Sequence, residues 1–484
     1  MDGFPLTGSQ GKEAPARRGG KAYLAASFAA QFCALARYTL LARLLGPEQL
    51  GIAVALILTS QFFESIADSG SDRFLVQDKQ GDEQEVQRLV HLVWLGRGLV
   101  IGASLATLAI PLAQFYGAPE LRTAFIFFAL TPLIAGFAHL DYRRLQRKSD
   151  FRAESRALVS SEVVSLAVTA IVAYLTRDYT AIICGLIARS IVLVLVSHLT
   201  AERRYSVGYS QDHAGRLAKF GLPLMMNGLL LFLGSQGDRL LIGKQIGLAE
   251  LGHYSAALLL IYYPTGMITR YMAAMHLPLL AGAEGEASKL AAAHRLAGQT
   301  LLLTVIMAAG YAAVAPLMIV LLYGEQFRQP ALLVAAIGIL QASRFIRLWP
   351  VTIALAEGRS GLVLISNLVR LLAFPGAFLG AELVGGIFGI LLAFAAAEAL
   401  ALIVSVVMVS RHFAVPLQGG FSRIAAFTLS SAVILGWAAS VGQQVSSGAV
   451  VALVGGSLLL VAWLIRSEKR TVSEAMRMLR PAAR

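Results

Sequence analysis

About 14 apolar segments, each near 20 residues, follow one another with almost nothing between them. Their limits read 23–45, 50–67, 89–112, 121–140, 158–175, 179–199, 217–242, 251–280, 297–322, 331–356, 362–379, 385–409, 424–441 and 449–465. In hydrocarbon a backbone must close its own hydrogen bonds, so runs of this length form helices. The strands of a barrel would be about half as long and would alternate strictly. With 57% hydrophobic and 14% charged residues and a mean hydropathy of +0.68, a soluble globule is excluded. The sequence therefore predicts an all-α polytopic membrane protein whose short connections leave no room for an extramembrane domain.

The net charge of +13 suits nucleic acid less well than it suits membrane topology. With the N-terminus in the cytoplasm, about 28 of the 41 basic residues fall on the cytoplasmic side. Only Arg43, Arg122, Arg177, Lys244 and Arg328 fall on the other. An even span count then puts both termini in the cytoplasm, and no nucleic-acid partner is expected. Cys33 and Cys184 lie inside apolar segments, which suggests neither a disulfide framework nor a metal site. The polar start is not followed by a short signal-peptide core and is expected to be retained.

The run ARLLGPEQLGIAVAL around Gly46 recurs as GKQIGLAELGHYSAAL around Gly247. At an offset of 201, Gly46 meets Gly247, Leu50 meets Leu251, Gly51 meets Gly252 and Ala55 meets Ala256. Both runs join a first and a second span, with six spans between them, so they share one orientation. That is a parallel repeat of two six-helix bundles. The expected organisation is a flexible cytoplasmic N-terminus (1–20), a first bundle (21–200), a cytoplasmic linker (201–216) and a second bundle (217–410). Two appended helices (411–466) and a basic cytoplasmic tail (467–484) follow.

Eight arginines lie within spans: Arg37, Arg97, Arg189, Arg239, Arg270, Arg344, Arg347 and Arg370. A charge at bilayer depth costs roughly 2.5–3.5 kcal/mol on insertion scales, so it must face protein or a wet cavity. Arginine keeps its proton there and can grip an oxyanion with two parallel hydrogen bonds. The mid-span acids are fewer: Glu64, Asp68, Glu162, Asp238 and Glu398. Gln61, Glu64 and Asp68 are spaced to share one face of the second span, where they can line a cavity and pair with Arg37. Arg344 and Arg347 share a face of the tenth span with no acid near them in it; Asp238 could serve one of them. Arg270 stands two turns from Tyr263. The cation surplus calls for an anion, and it marks these arginines as candidate substrate ligands in a central cavity. Glu64, Asp68 and Asp238 are candidate ion-coupling carboxylates for a proton or sodium gradient. No phosphate loop, nucleophile elbow or metal-ligand cluster is present, so no catalytic residue, metal or cofactor is expected.

The stretch ARLLGPEQLGIAVALILTSQFFESIADSGSDRFLVQ resembles the N-terminal signature of bacterial polysaccharide transporters. These are the lipid-linked oligosaccharide (O-antigen type) flippases of the multidrug/oligosaccharidyl-lipid/polysaccharide exporter superfamily. The shared features are the LARLLGPEQLG run, the turn at Asp68–Gly70 and the FLVQ run ending at Gln77. GDRLLIGKQIGLAELGHYSAA is similar to the family's seventh and eighth helices. The resemblance covers about 60 residues of the first half and 45 of the second; elsewhere it rests on topology alone. It implies a V-shaped pair of bundles in the bacterial inner membrane around a cationic cavity. The implied substrate is an undecaprenyl-diphosphate-linked glycan, moved by alternating access for O-antigen, capsule or exopolysaccharide synthesis. Membrane lipids and a polysaccharide polymerase machinery are the implied partners. The last two helices would form a groove for the lipid tail.

Three rivals remain. A cation-coupled multidrug exporter of the same superfamily should favour acidic and aromatic groups over arginine. A membrane-embedded polymerase or acyltransferase needs a sizeable outer loop, and the outer loops here are short. A structural scaffold has little reason to bury so many charges.

Overall fold

The computed structural model describes residues 13–413 and 417–440, and among these no strand occurs. In chain order the helices are α1 (Glu13–Ile66), α2 (Ser71–Gln77), α3 (Gln84–Thr107), α4 (Ala109–Phe115), α5 (Leu121–Phe128), α6 (Leu130–Ala135), α7 (Asp141–Arg147), α8 (Arg152–Thr176) and α9 (Thr180–Leu199). They continue as α10 (Gln211–Gln245), α11 (Leu248–Ala281), α12 (Glu286–Tyr323), α13 (Ala331–Ile346), α14 (Leu348–Ala356), α15 (Ser360–Arg370), α16 (Ala373–Gly380), α17 (Gly386–His412) and α18 (Leu417–Ser440). Nine stretches among the described residues are long and apolar enough to cross a membrane.

The expected 14 spans are therefore not recovered one for one, for local reasons. The first two spans run together in α1, which kinks at Gly46 (φ 83°, ψ 178°) just before Pro47. That positive φ is cheap only for glycine. The expected spans 11 and 12 form one apolar stretch, Ser360–His412, with a π turn at Ala381–Gly385. The expected fourth span is split into α5 and α6. The expected span at 449–465, the tail and the first 12 residues lie outside the described residues.

The chain divides into two compact units. The first takes in the described residues up to Phe232 together with Gly247–Gly252. The second takes in Leu233–Ile246 and the described residues from His253 onward. Within the first unit, Phe74, Leu75, Leu89, Val90, Leu140 and Leu217 form a buried cluster near α2 and α7. The core of the second gathers Leu301, Val305, Ile346, Trp349, Val406 and Ile434 from α12–α14, α17 and α18.

The sequence repeat takes on a physical meaning inside the first unit. Gly247 also has a positive φ, 127°. A Cβ on Gly51 would lie 1.7 Å from the carbonyl oxygen of Leu248, and one on Gly252 would lie 1.9 Å from that of Pro47. Pro47 and Leu248 are themselves an equivalent pair at the repeat offset. Each glycine thus rests on the other repeat's turn, a reciprocal contact that no larger residue can make. Replacing Gly252 with Ala must push the backbones apart. We expect a loss of about 1–3 kcal/mol, in the range of overpacked cores. It should appear as a lowered thermal midpoint of the purified protein; an unchanged midpoint would show that the contact is not tight.

Candidate functional site

One cluster of buried charge in the first unit centres on Glu162 of α8. Its carboxylate accepts a hydrogen bond from the Arg37 guanidinium of α1 at 2.8 Å and another from Arg189 of α9 at 2.5 Å. Arg37 also donates to the Ser165 hydroxyl at 2.8 Å. Arg37 therefore does not pair with Glu64 or Asp68, as the sequence suggested. α8 packs beside α1 and presents Glu162 and Ser165 to it one turn apart, whereas α1 ends at Ile66, before Asp68 is reached. Asp68 does not share a helical face with Gln61 and Glu64. Its carboxylate accepts from the Gly70 N–H at 3.1 Å and from Arg73 at 3.2 Å, and it stands 4.0 Å from Arg97. Glu64 accepts from Ser60, one turn before it on α1.

The second unit holds a larger network. Glu398 of α17, 2% exposed, accepts from Arg347 at 3.1 Å and from Arg370 of α15 at 2.7 Å, and lies 3.5 Å from Arg344. Arg344, on α13, also faces Asp238 of α10 at 3.3 Å. The expectation that Asp238 could serve one of this arginine pair is met in geometry. Asp238 in turn accepts from the Tyr254 hydroxyl of α11 at 2.5 Å. Arg347 donates further to Ser366 and Asn367, and Arg370 to the Gly234 carbonyl. Gly234 is needed there, because a Cβ would sit 2.6 Å from the Arg370 guanidinium. Arg239 donates to Gln236 and Ser255. Four arginines and two carboxylates thus share one buried region, and the cation surplus inferred from sequence is concentrated here.

The remaining expected ligands lie apart. Arg97 of α3 stacks 5.0 Å from the Trp94 ring centroid. Arg270 is exposed on α11, with its Nε donating to the Gly266 carbonyl at 3.3 Å. The structure thus brings Arg37 and Arg189 together, and Arg239, Arg344, Arg347 and Arg370 together; Arg97 and Arg270 belong to neither group.

Several contributors were not singled out from sequence. Ser165, Tyr254, Ser366 and Asn367 complete the networks, but small polar residues in spans are too common to signal themselves. Arg143, Arg144 and Arg147 counted only as topology-setting charges. Arg143 bridges Asp72 at 3.2 Å and Glu154 at 2.9 Å. The Arg144 guanidinium meets Asp141, Glu202 and Asp82. Burial alone would raise the Asp141 carboxyl; hydrogen bonds from Arg144, the Glu202 N–H and Gln87 outweigh it and hold the group at about 2.

Arg147 closes the end of α2. Its guanidinium donates to the carbonyls of Leu75 at 3.1 Å, Val76 at 2.8 Å and Asp78 at 2.6 Å. Those are carbonyls that a helix end leaves without partners. The FLVQ run at Phe74–Gln77 is thus tied down by this arginine. Arg147→Ala is expected to free the segment and to cost about 2 kcal/mol, the range for hydrogen bonds to a charged group. Faster amide exchange confined to 71–78 would show it; unchanged exchange there would mean the cap is redundant.

Residues 40–331 match the family described as polysaccharide biosynthesis protein. The chain is 27% identical over 293 residues to the succinoglycan biosynthesis transport protein ExoT of Rhizobium meliloti (strain 1021). That match takes in 60% of this chain and 58% of the relative, so less than two thirds of the relative is spanned. Among solved structures, the lipid II flippase MurJ in an inward closed conformation is similar, with a TM-score of 0.66 and 13% identity over 94% of this chain and 99% of that one. An inward-facing multidrug resistance transporter of the MATE family, in the MOP superfamily, gives 0.62 and 16% over 82% of this chain and 95% of that one. At such identities the likeness is one of fold.

Proposed function

The chain belongs to the polysaccharide biosynthesis protein family, and on that premise we propose that it is a flippase for a lipid-linked oligosaccharide. It would move an undecaprenyl-diphosphate-linked glycan across the bacterial inner membrane by alternating access, with both termini in the cytoplasm. The observation that carries this reading is the buried cluster of Arg239, Arg344, Arg347 and Arg370 around only Asp238 and Glu398. A diphosphate offers what such a cluster lacks: negative charge spread over pairs of oxygens that a planar guanidinium can grip two at a time. Arg37, Arg97, Arg189 and Arg270 are further ligand candidates along the route. The fold is shared with multidrug transporters, but a surplus of fixed positive charge would repel a cationic drug. No polymerase or acyltransferase chemistry is proposed, since the named relatives are transport proteins and flippases.

We propose Asp238 as the coupling carboxylate. It is fully buried, its Oδ2 is held by Tyr254, and its Oδ1 has no hydrogen-bond partner. Arg344 lies within ion-pair range, so a cation or proton arriving at Asp238 would loosen that arginine for an anion. The test is reconstitution. Purified protein in vesicles should move an undecaprenyl-diphosphate-linked saccharide between leaflets, and collapsing the proton or sodium gradient should slow it at least about tenfold, or about 1.4 kcal/mol of barrier. Asp238→Asn should flip at the collapsed rate with either gradient present. No flipping by the wild-type protein would overturn the proposal; flipping indifferent to both gradients would leave Asp238 a structural partner of Tyr254.

A further inference from the structure

Four of the eight span-depth arginines, Arg37, Arg189, Arg347 and Arg370, donate hydrogen bonds to carboxylates; Arg97 does not. Its Nη1 is 4.0 Å from Asp68, beyond a hydrogen bond, and its Nη2 reaches the Glu64 carbonyl only at 3.4 Å. Its Nε is buried and makes no hydrogen bond. The side chain is 18% exposed, so the group has an outlet. An under-satisfied guanidinium at this depth is costly unless something else completes its shell.

One turn away stands Trp94. The indole N–H donates to the Ala135 carbonyl at 3.0 Å, which fixes the ring, and the Arg97 guanidinium lies over it. Beside them on α3, a Cβ added to Gly96 would meet nothing within 4 Å, so this edge of the helix is open. From α1, Gln61 is exposed, and Glu64, whose backbone carbonyl faces Arg97, lies one turn on. Trp94 and Arg97 thus set a fixed aromatic plate beside an incompletely bonded cation, and Gln61 and Glu64 stand one turn apart on the helix whose Glu64 carbonyl meets Arg97. A rigid apolar surface with a few polar groups at its rim is how small-molecule sites are built. A sugar phosphate has the matching parts: C–H faces for the indole, hydroxyls for amide and carboxylate, and an oxyanion for the guanidinium.

We propose that Trp94, Arg97, Gln61 and Glu64 form a glycosyl-phosphate site within the first unit. The proposal deepens the flippase reading and rests on it for the identity of the cargo. Arg97 takes the phosphate oxygens, Trp94 packs against the first sugar ring, and Gln61 and Glu64 bond its hydroxyls.

The full-length protein in detergent is titrated with glucose 1-phosphate and, separately, with inorganic phosphate, using saturation-transfer NMR for the sugar and tryptophan fluorescence for both. The hexose phosphate should bind about tenfold more tightly than phosphate alone, a difference of about 1.4 kcal/mol. Trp94→Leu should remove that preference and keep phosphate binding, whereas Trp94→Phe should retain most of it. Arg97→Gln should weaken both ligands. A preference untouched in Trp94→Leu overturns the site, as does wild-type protein that binds neither ligand. If Trp94→Leu does not fold, a Gln61→Ala protein that keeps the full preference, together with Trp94→Phe binding at the level of phosphate alone, overturns it equally. The flipping assay on the same preparations separates the two proposals. Flipping by wild type with no effect of Trp94 on sugar affinity removes this site alone. Trp94-dependent sugar binding without any flipping removes the transport reading alone.

Discussion

Glu398→Ala is expected to be the most destabilising single change in the described chain. The side chain is 2% exposed and is the shared acceptor of Arg347 and Arg370, with Arg344 3.5 Å away. Removing one partner of a buried ion pair typically costs about 3–5 kcal/mol, because the other charge is left uncompensated. Here three guanidiniums lose their acceptor together, so the cost should lie at the upper end or beyond. Arg370→Ala should cost less, since Glu398 keeps Arg347. A second change, Arg347→Met, made on top of Glu398→Ala should recover part of the loss by removing a stranded cation. Thermal unfolding in detergent, with the yield of monodisperse protein, measures all three. If Glu398→Ala unfolds at the wild-type temperature, water must already reach the cluster and screen it.

The same residues show how much could be seen in advance. The apolar period fixed the helical class, and the glycine–leucine echo located the turns at Gly46 and Gly247; both positive φ values are where that echo placed them. Charge at bilayer depth picked out Arg344, Arg347 and Asp238, which do meet. What stayed hidden was the pairing. Spacing matches Arg37 with acids near it in sequence, but its acceptor Glu162 lies 125 residues away on a neighbouring helix. Helix periodicity relates residues three and four apart; it says nothing about which helix lies alongside. Asp68 was misplaced for a related reason. A helix end is set by the Asx turn to Gly70, and spacing alone carries the face past that end. Span counting blurred where a kink replaced a loop, as at Gly46.

At the repeat offset, Arg37 of α1 falls on Asp238 of α10. In the same helix order, Glu162 of α8 answers to Arg370 of α15, and Arg189 of α9 to Glu398 of α17. The two sets of three occupy matching helices with every sign reversed, but only the first closes on one residue, Glu162; Asp238 meets Arg344 and Tyr254, and Arg370 meets Glu398. The first carries two cations and one acid, the second two acids and one cation, before Arg239, Arg344 and Arg347 are counted. The surplus positive charge of the second unit therefore comes from Arg239, Arg344 and Arg347, with Arg344 and Arg347 on α13 and at its C-terminal end.

That separation makes Arg344→Met combined with Arg347→Met the sharpest test of transport. Methionine fills much of the arginine stem's volume without its charge. After the change, Glu398 keeps Arg370 and Asp238 keeps Tyr254, while Arg239 retains Gln236 and Ser255. Charges within the cluster then balance in sum, so the protein should still insert, but Asp238 loses its ion-pair partner, so it should unfold below the wild-type temperature, by less than Glu398→Ala. Flipping of a diphosphate-linked lipid should fall at least about 100-fold, the effect of losing two charge-assisted contacts of about 1.5–3 kcal/mol each. Glu398→Ala inverts this outcome: it raises the positive charge and loses the fold. A double-methionine protein that is folded and flips at the wild-type rate would reduce these arginines to braces and leave the cargo's charge to be met elsewhere. One that fails to fold would make both arginines braces, and the asymmetry between the two sets of three would lose its functional meaning.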